Sequence, residues 1–316
     1  MKLHVLSPGP MTTIQDAGRH GYVASGIGVS GVMDQDAYAA ANYLVGNRHG
    51  EAVLEATLMG PSIQFDSDCI CAVTGADMGT KIGNKEVEPY RPFWVQAGQV
   101  LTMGYAKTGC RGYLAVQGGF DVPVVMGSRS TNLKCVLGGH EGRVLKVGDV
   151  LEVPDESRST VMDRKRRQQV YEQEVTVRVI PGPQADAFTE KGFRTLWEQS
   201  FSVSAKSDRM GLRLDGPVIE TKEGSDIVSD GIALGAIQVT SGGQPIILLA
   251  DRQTTGGYAK IASVITVDLP RLVQTRPGTK IRFQAITLEE AQAMIRQEKQ
   301  YMNYLRERFR QPWRHR

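Results

Sequence analysis

No stretch of this sequence is apolar for long enough to cross a bilayer, and its first residues, Met1 to Pro10, hold no hydrophobic core of signal-peptide length. Neither a membrane span nor a secretory leader is expected. Cysteine is scarce: Cys69, Cys71, Cys110 and Cys135 form no C-x-x-C pair, which removes zinc-ribbon and thioredoxin readings. Cys69 and Cys71 would share one face of a strand and read as buried free thiols, so a reducing cytoplasm is the expected compartment. Charge of one sign is lacking too. A formal charge of +3 is too small to imply nucleic-acid binding, and basic residues nowhere interleave with aromatics. The histidines His4, His20, His49, His140 and His315 are scattered, with no H-E-x-x-H pair, so no metal site is expected. A G-x-S-x-G elbow is absent as well. The segment Gly75 to Lys81 superficially resembles a phosphate loop but misses the G-x-x-x-x-G-K-[ST] spacing. Its Asp77 would repel phosphate, so it reads as a hairpin loop.

What is present is ordinary for a globular protein, and a chain of 316 residues predicts about two domains. Its 35 glycines and few aromatics point to tight turns and short strands rather than a helical bundle. Short apolar runs bounded by Gly, Pro, Asn or Asp mark strands at 63–65, 70–73, 93–96, 100–103, 113–116 and 150–153. Helices are few. Asp34 can cap one through Ala37–Val45 with Gly46 as its stop, and a second is expected to begin near Gln184 and run through Phe188. A third follows the capping-box spacing of Thr287 and Glu290 and continues to about Arg308. The arginines at 306, 308, 310, 314 and 316 read as a frayed basic tail.

Two segments echo each other. Leu3-His4-Val5-Leu6-Ser7-Pro8-Gly9-Pro10 is matched by Val177-Arg178-Val179-Ile180-Pro181-Gly182-Pro183, each a strand stopped by a Pro-Gly-Pro turn. Ser30-Gly31-Val32-Met33 returns as Ser207-Asp208-Arg209-Met210, and Val73-Thr74-Gly75 as Val239-Thr240-Ser241. The matching order of these echoes suggests a duplicated unit. Between the halves, Pro154 to Ser159 and the basic run Arg164-Lys165-Arg166-Arg167 read as a solvated linker. The expectation is a mainly β protein with a few helices. It divides into β-barrel-like domains at 1–160 and 175–286, a linker at 161–174, and a C-terminal helix and tail at 287–316.

The densest chemistry lies in Ile246 to Tyr258. An apolar run, Ile246-Ile247-Leu248-Leu249-Ala250, reads as a buried strand that emerges into Asp251, Arg252, Gln253, Thr254, Thr255 and the pair Gly256-Gly257. Two opposite charges, an amide, two hydroxyls and glycines free to take positive φ are what a polar ligand needs. The plain alternative is a hairpin with a surface Asp–Arg pair. Other clusters are Asp16 with His20, where the carboxylate could orient the imidazole, and Gln117-Gly118-Gly119 with Gly127-Ser128-Arg129-Ser130-Thr131, whose guanidinium and hydroxyls suit a carboxylate or phosphate. A further one is Ser207 to Arg213. Asp34 reads as a helix cap rather than a catalyst.

The segments LLADRQTTGGYAKIA, TTIQDAGRHGY, SGVMDQDAYAAANYLVGN, GSRST, GGHEGRVLKVGD, RVIPGPQ and SDRMGLRL resemble, in matching order from about Leu3 to Phe283, the biotin-dependent carboxyltransferase or allophanate hydrolase subunit 2 family. That family includes the C subunit of 5-oxoprolinase, the KipA-type antagonist and the carboxyltransferase domain of urea amidolyase. The resemblance implies two cyclophilin-like β-barrel domains with a site between them. It also implies a role in an ATP-dependent 5-oxoprolinase complex with A and KipI-like B subunits, opening the lactam 5-oxoproline to glutamate. ATP would serve the complex and be held mainly by a partner. No lysine stands in an Ala-Met-Lys-Met context, so biotin is not expected on this chain. In that reading Arg252, Arg209 or Arg129 pairs with substrate carboxylate or phosphate. Asp251 or His20 moves a proton, and Thr254, Thr255 and the Gly256-Gly257 amides stabilise developing charge. Lys260 and Tyr258 fix orientation, and Gln117 and Gln253 contact substrate. The alternatives are carboxyl transfer from partner-borne biotin to urea or a related amide, and a non-catalytic KipA-type antagonist of a kinase inhibitor.

Overall fold

Short strands with alternating burial can close a core only by curling or by stacking, and this chain does both. A computed structural model describes residues 1–47, 50–154 and 164–310, with side chains through residue 300. In the first half, one sheet runs in space as Val150–Glu152, Lys2–Ser7, Ser62–Phe65, Val100–Thr102, Lys81–Ile82 and Lys85–Glu86. The second runs as Thr12–Gln15, Val53–Thr57, Thr108–Val116, Cys69–Asp77 and Pro92–Val95. Their inner faces share one core, in which Leu3, Ile63 and Leu101 of one sheet meet Leu54, Cys71 and Leu114 of the other. Helix α1 (Gln35–Val45) covers the outer face of the second sheet, where Tyr38, Ala41 and Leu44 pack on Val53, Ala72 and Tyr113. In the second half, seven strands close a barrel in the order Glu174–Pro181, Lys260–Val264, Ala236–Val239, Pro245–Leu248, Gly211–Asp215, Phe201–Val203 and Lys280–Ala285. Closure comes from the parallel pairing of Val177 with Phe283. Val175, Val177 and Val179 point inward with Ile281 and Phe283. Each such fully buried side chain contributes ~1.5–3 kcal/mol.

The fold is mainly β, as expected, and all the expected strands are present. Asp34 caps α1 by accepting from the Ala37 N–H at 2.9 Å, and Gly46 ends it in the left-handed region. At the C-terminus, the Thr287 hydroxyl accepts from the Glu290 N–H while the Glu290 carboxylate accepts from the Thr287 N–H, and a helix follows over Leu288–Arg310. No helix among the described residues is long and apolar enough to cross a membrane.

Three expectations need correction. The second helix, α2 (Glu190–Glu198), starts after Thr189, whose hydroxyl accepts from Gly192 N–H; residues Ala185–Ala187 form a single 3-10 turn. Gln184 does not cap it because its side chain is taken by Lys260 N–H and Asp230. The Gly75 to Lys81 segment is not a hairpin loop. It carries the chain from one sheet to the other, with Asp77 accepting from Gly79 N–H in a local turn. The basic run is not simply solvated either. Arg164 stacks 5.0 Å from the Tyr43 ring centroid and donates to the Tyr43 carbonyl, and Arg166 N–H donates to the Tyr90 carbonyl. The linker residues 155–163 and the tail beyond Arg310 lie outside the described residues.

One loop carries its own electrostatic clamp. Arg143 holds Asp149 with two bonds of 2.7 and 2.9 Å, and Lys146 N–H adds a third of 2.7 Å. The Arg143 guanidinium draws the Asp149 carboxyl down to about 2. A depressed carboxyl stabilises the fold above its unfolded value near ~4 and loses that contribution as pH falls through the folded value. Asp149→Asn should therefore lower stability by ~1–2 kcal/mol at pH 7, with the gap from the parent closing toward pH 2. Chemical denaturation across that range checks this; a gap independent of pH would contradict it.

Candidate functional site

The two halves meet through polar groups that complete each other's backbone bonds. The register of the Thr108–Val116 strand shifts between Thr108 and Gly112, which takes the Cys110 and Arg111 amides out of the regular ladder. Gln274, from the barrel side, accepts both amides at 3.0 and 2.9 Å and donates to the Arg111 carbonyl and to Asp34. Arg276 donates to the Gly109 and Ala106 carbonyls. Burial pushes the Asp34 carboxyl up to about 7, against the opposing pull of its Ala37 and Gln274 donors.

A second node is ionic. Arg209 is buried, and its guanidinium meets Asp251 at 2.8 and 3.3 Å, the Gly31 carbonyl at 2.6 Å, and Glu55. Glu55 belongs to the first half, and its other oxygen accepts from Met33 N–H and the Tyr113 hydroxyl. Burial alone would weaken the hold of Arg209 on its proton, but the carboxylates of Glu55 and Asp251 outweigh it and raise its pKa. The sequence reading gives Arg209 to the substrate. The structure instead makes it an internal cation, because its donors are already engaged by groups from both halves.

Beside this node the chain leaves the barrel. Pro245–Leu248 ends, Asp251 and Arg252 follow, and Thr255–Tyr258 joins a two-stranded ribbon with Asp226–Gly231. The site is therefore neither a hairpin nor a glycine-opened turn. Gly256 and Gly257 are strand residues without positive φ. Glycine suits 256 because an added Cβ would lie 2.7 Å from Ile232 Cδ1 and 2.8 Å from Gln238 Nε2. Gly256 faces Asp230 in the ribbon ladder, so its backbone is taken up by the ribbon.

Arg252 is half-buried, donates from Nε to the Ile232 carbonyl at 3.1 Å and from Nη1 to the Leu249 carbonyl, and has no carboxylate partner among the described residues. Burial lowers its pKa from the ordinary guanidinium value. Its own carbonyl would lie 3.4 Å from a Cβ at Gly28, and the same Cβ would lie 3.6 Å from Asn132 Nδ2, so loops of the first half border it. Gln253 and Thr255 are exposed, and Thr254, whose carbonyl accepts from Ile232 N–H, is half-buried.

The remaining candidates have distinct tasks. Lys260 is buried, with its ammonium 3.1 Å from Asp230, so it ties the ribbon to the barrel and draws the Asp230 carboxyl down. The Tyr258 carbonyl accepts from Gln238 Nε2. His20 is exposed, with its ring Nε2 3.2 Å from the Ala17 carbonyl, and it is not oriented by Asp16. Asp16 instead accepts from Gly18 N–H, Arg129 N–H and the hydroxyls of Ser128 and Ser130, which fold the 128–131 loop against it. Arg129 is anchored by its backbone, and its Nε has no hydrogen-bond partner among the described residues. Gln117 donates to the Val45 carbonyl, so it secures the end of α1.

Some participants escape a reading of the sequence. Arg19 is fully buried and donates to the Val125 and Ser130 carbonyls, bracing the same loop. Glu55, Gln184 and Gln274 are missed as well. Glu55 does leave a signal: it is the one charged residue in the run Ala52-Val53-Leu54-Glu55-Ala56, where a buried strand needs a partner for it.

A family model for the carboxyltransferase domain, subdomain A and B, matches residues 25–285. The C subunit of 5-oxoprolinase from Haemophilus influenzae is 39% identical over 308 residues, covering 96% of this chain and 97% of that protein. Its counterpart from Escherichia coli, also named as the C subunit of 5-oxoprolinase, is 38% identical over 303 residues, covering 96% and 97%. The crystal structure of the K. lactis urea amidolyase superposes with a TM-score of 0.87 at 31% identity, covering 98% of this chain but 20% of that one.

Proposed function

This chain belongs to the carboxyltransferase-domain family, subdomains A and B, and from that premise we propose that it serves as the C subunit of an ATP-dependent 5-oxoprolinase. The observation that carries this reading is the end-to-end match to the C subunits of two 5-oxoprolinases, against a match to about one fifth of a urea amidolyase. The residues beside the barrel end supply groups that complement the substrate. 5-Oxoproline offers a carboxylate, a ring N–H and a lactam carbonyl. Arg252, with no carboxylate partner among the described residues, pairs with the substrate carboxylate. Asp251, held by Arg209, accepts from the ring N–H and orients the ring. The hydroxyl of Thr254 or of Thr255, which alternate across the ribbon, faces the carbonyl oxygen, where negative charge grows as water adds to the carbon. Opening is complete when the ring C–N bond breaks and nitrogen takes up a proton, leaving glutamate.

A lactam carbonyl is a poor electrophile, and in this reading ATP activates it: the γ-phosphoryl group moves to the carbonyl oxygen as ADP leaves, and phosphate departs from the water adduct as the ring opens. The Gly75 to Lys81 segment of this chain does not suit phosphate: Gly79 N–H is bonded to Asp77 and Gly75 N–H to the Tyr90 hydroxyl. In this reading ATP is held mainly by a partner, either the A or the KipI-like B subunit. The likeness to urea amidolyase favours one rival, carboxyl transfer from partner-borne biotin. Avidin separates the two. Activity of the reconstituted complex on 5-oxoproline should be indifferent to avidin, and a complete block would transfer the assignment to the biotin-dependent reaction.

A further inference from the structure

Arg209 stands between two carboxylates from different halves of the molecule, and only one of them borders the proposed site. On the far side, Glu55 sits in Val53–Thr57, an interior strand flanked by Thr12–Gln15 and Thr108–Val116. Its carboxylate is fully engaged: one oxygen meets Arg209, and the other accepts from Met33 N–H at 2.7 Å and the Tyr113 hydroxyl at 2.9 Å. Tyr113 in turn accepts from Asp34 N–H, so the start of α1 is locked to the same point. On the near side, Asp251 takes two bonds from the Arg209 side chain, and its N–H donates to the Arg209 carbonyl at 2.9 Å. Glu55 and Asp251 are thus joined through one rigid planar group.

We propose that Glu55 is a positioning residue: by fixing the Arg209 guanidinium from the first half, it sets where Asp251 of the second half meets the substrate. The role assigned to Asp251 rests on the lactam reading above, whereas the coupling of Glu55 to Asp251 does not. Neither carboxylate is adjacent to the other in sequence, and Arg209 bears on both only when the halves are docked. The site is therefore completed by docking, and a displacement between the halves is delivered directly to Asp251.

Glu55→Gln tests this while keeping the side-chain shape. The oxygen of the amide must stay on Met33 N–H and Tyr113, so its NH2 group is turned toward Arg209, donor against donor. In the complete complex the variant should lose roughly ten- to a hundredfold in kcat. Arg209→Lys keeps the charge but loses the two-bond grip on Asp251 and should show a similar loss. The double variant should be little worse than the more severe single one, because both break one chain of contacts. Multiplicative losses, or normal kcat per folded molecule with only a lower melting temperature, would overturn the proposal. Glu55→Asp, a milder change, serves if Glu55→Gln does not fold, and it should show the same non-additive pattern. Hydrogen exchange supplies a readout that needs no activity. Exchange at the Asp251 amide should rise in Glu55→Gln while the amides of Lys260–Val264 stay protected. Unchanged exchange at Asp251 refutes the coupling, whereas a parent complex without lactamase activity refutes the functional reading and leaves the coupling intact.

Discussion

Replacing Arg252 with alanine should lower kcat/KM of the reconstituted complex by at least about a hundredfold, with the fold unchanged. The magnitude follows from a half-buried guanidinium that meets no carboxylate of its own among the described residues and donates only to the carbonyls of Ile232 and Leu249. Such a group is desolvated already, so its attraction for a substrate anion is stronger than that of a surface arginine. The ribbon beside the two carbonyls it leaves is also held by the pairing of Asp226 with Tyr258 and Gly231 with Thr255. Melting temperature should therefore move by only a few degrees. Steady-state kinetics with a parallel melting curve decides the matter; near-normal turnover by a folded Arg252→Ala protein would remove this residue from the site.

Arg209→Met should have the largest effect on stability. It leaves Glu55 and Asp251 without the cation that neutralises them, and Glu55 is 2% exposed. Removing one partner of a buried ion pair costs about 3–5 kcal/mol, most of it the cost of the orphaned charge. For a protein of this size that corresponds to a fall in melting temperature of about 5–8 °C. Glu55→Gln combined with Arg209→Met should recover part of the loss, since one stranded charge is then gone. A single variant as stable as the parent would mean that the node contributes little to holding the halves together.

These two arginines also show where sequence alone suffices and where it stops. Both stand in clusters that the sequence marks as candidate sites, and in the structure Arg252 meets only the carbonyls of Ile232 and Leu249. Arg209 is engaged by Glu55 and Asp251, which are 154 and 42 residues away along the chain. Local composition carries no record of such pairings. Elements defined by nearby residues are readable: the Asp34 cap, the Gly46 stop and the Thr287–Glu290 box each involve groups within a few positions. The second helix is misplaced by sequence alone because Gln184 is claimed by Lys260 of the neighbouring strand and Asp230 of the ribbon, contacts that outrank local capping. Gly256-Gly257 misleads for a related reason. Glycine there answers a crowded approach by Ile232 and Gln238, not a need for positive φ. Likewise Asp16 and His20 are neighbours in sequence, but the 128–131 loop, brought in from far along the chain, takes the carboxylate first.

The echo between Leu3–Pro10 and Val177–Pro183 is a better guide, since both segments do begin their halves as strands, Lys2–Ser7 and Glu174–Pro181. The turns that follow use glycine differently. Gly9 has a φ of 70° and Gly182 does not enter that region, although an added Cβ would lie 2.6 Å from the Met59 carbonyl at Gly9 and 2.1 Å from the Lys260 carbonyl at Gly182. The second turn is thus pressed against the strand that carries Lys260, and through Lys260 against the ribbon at the site.

The most direct test of the functional account is glutamate formation from 5-oxoproline by this chain combined with its partner A and B subunits. The account predicts turnover that requires ATP, stops when this chain is omitted, and is restored by adding it back. Full turnover without this chain, or none with it when the partners are shown to be competent, would contradict the account.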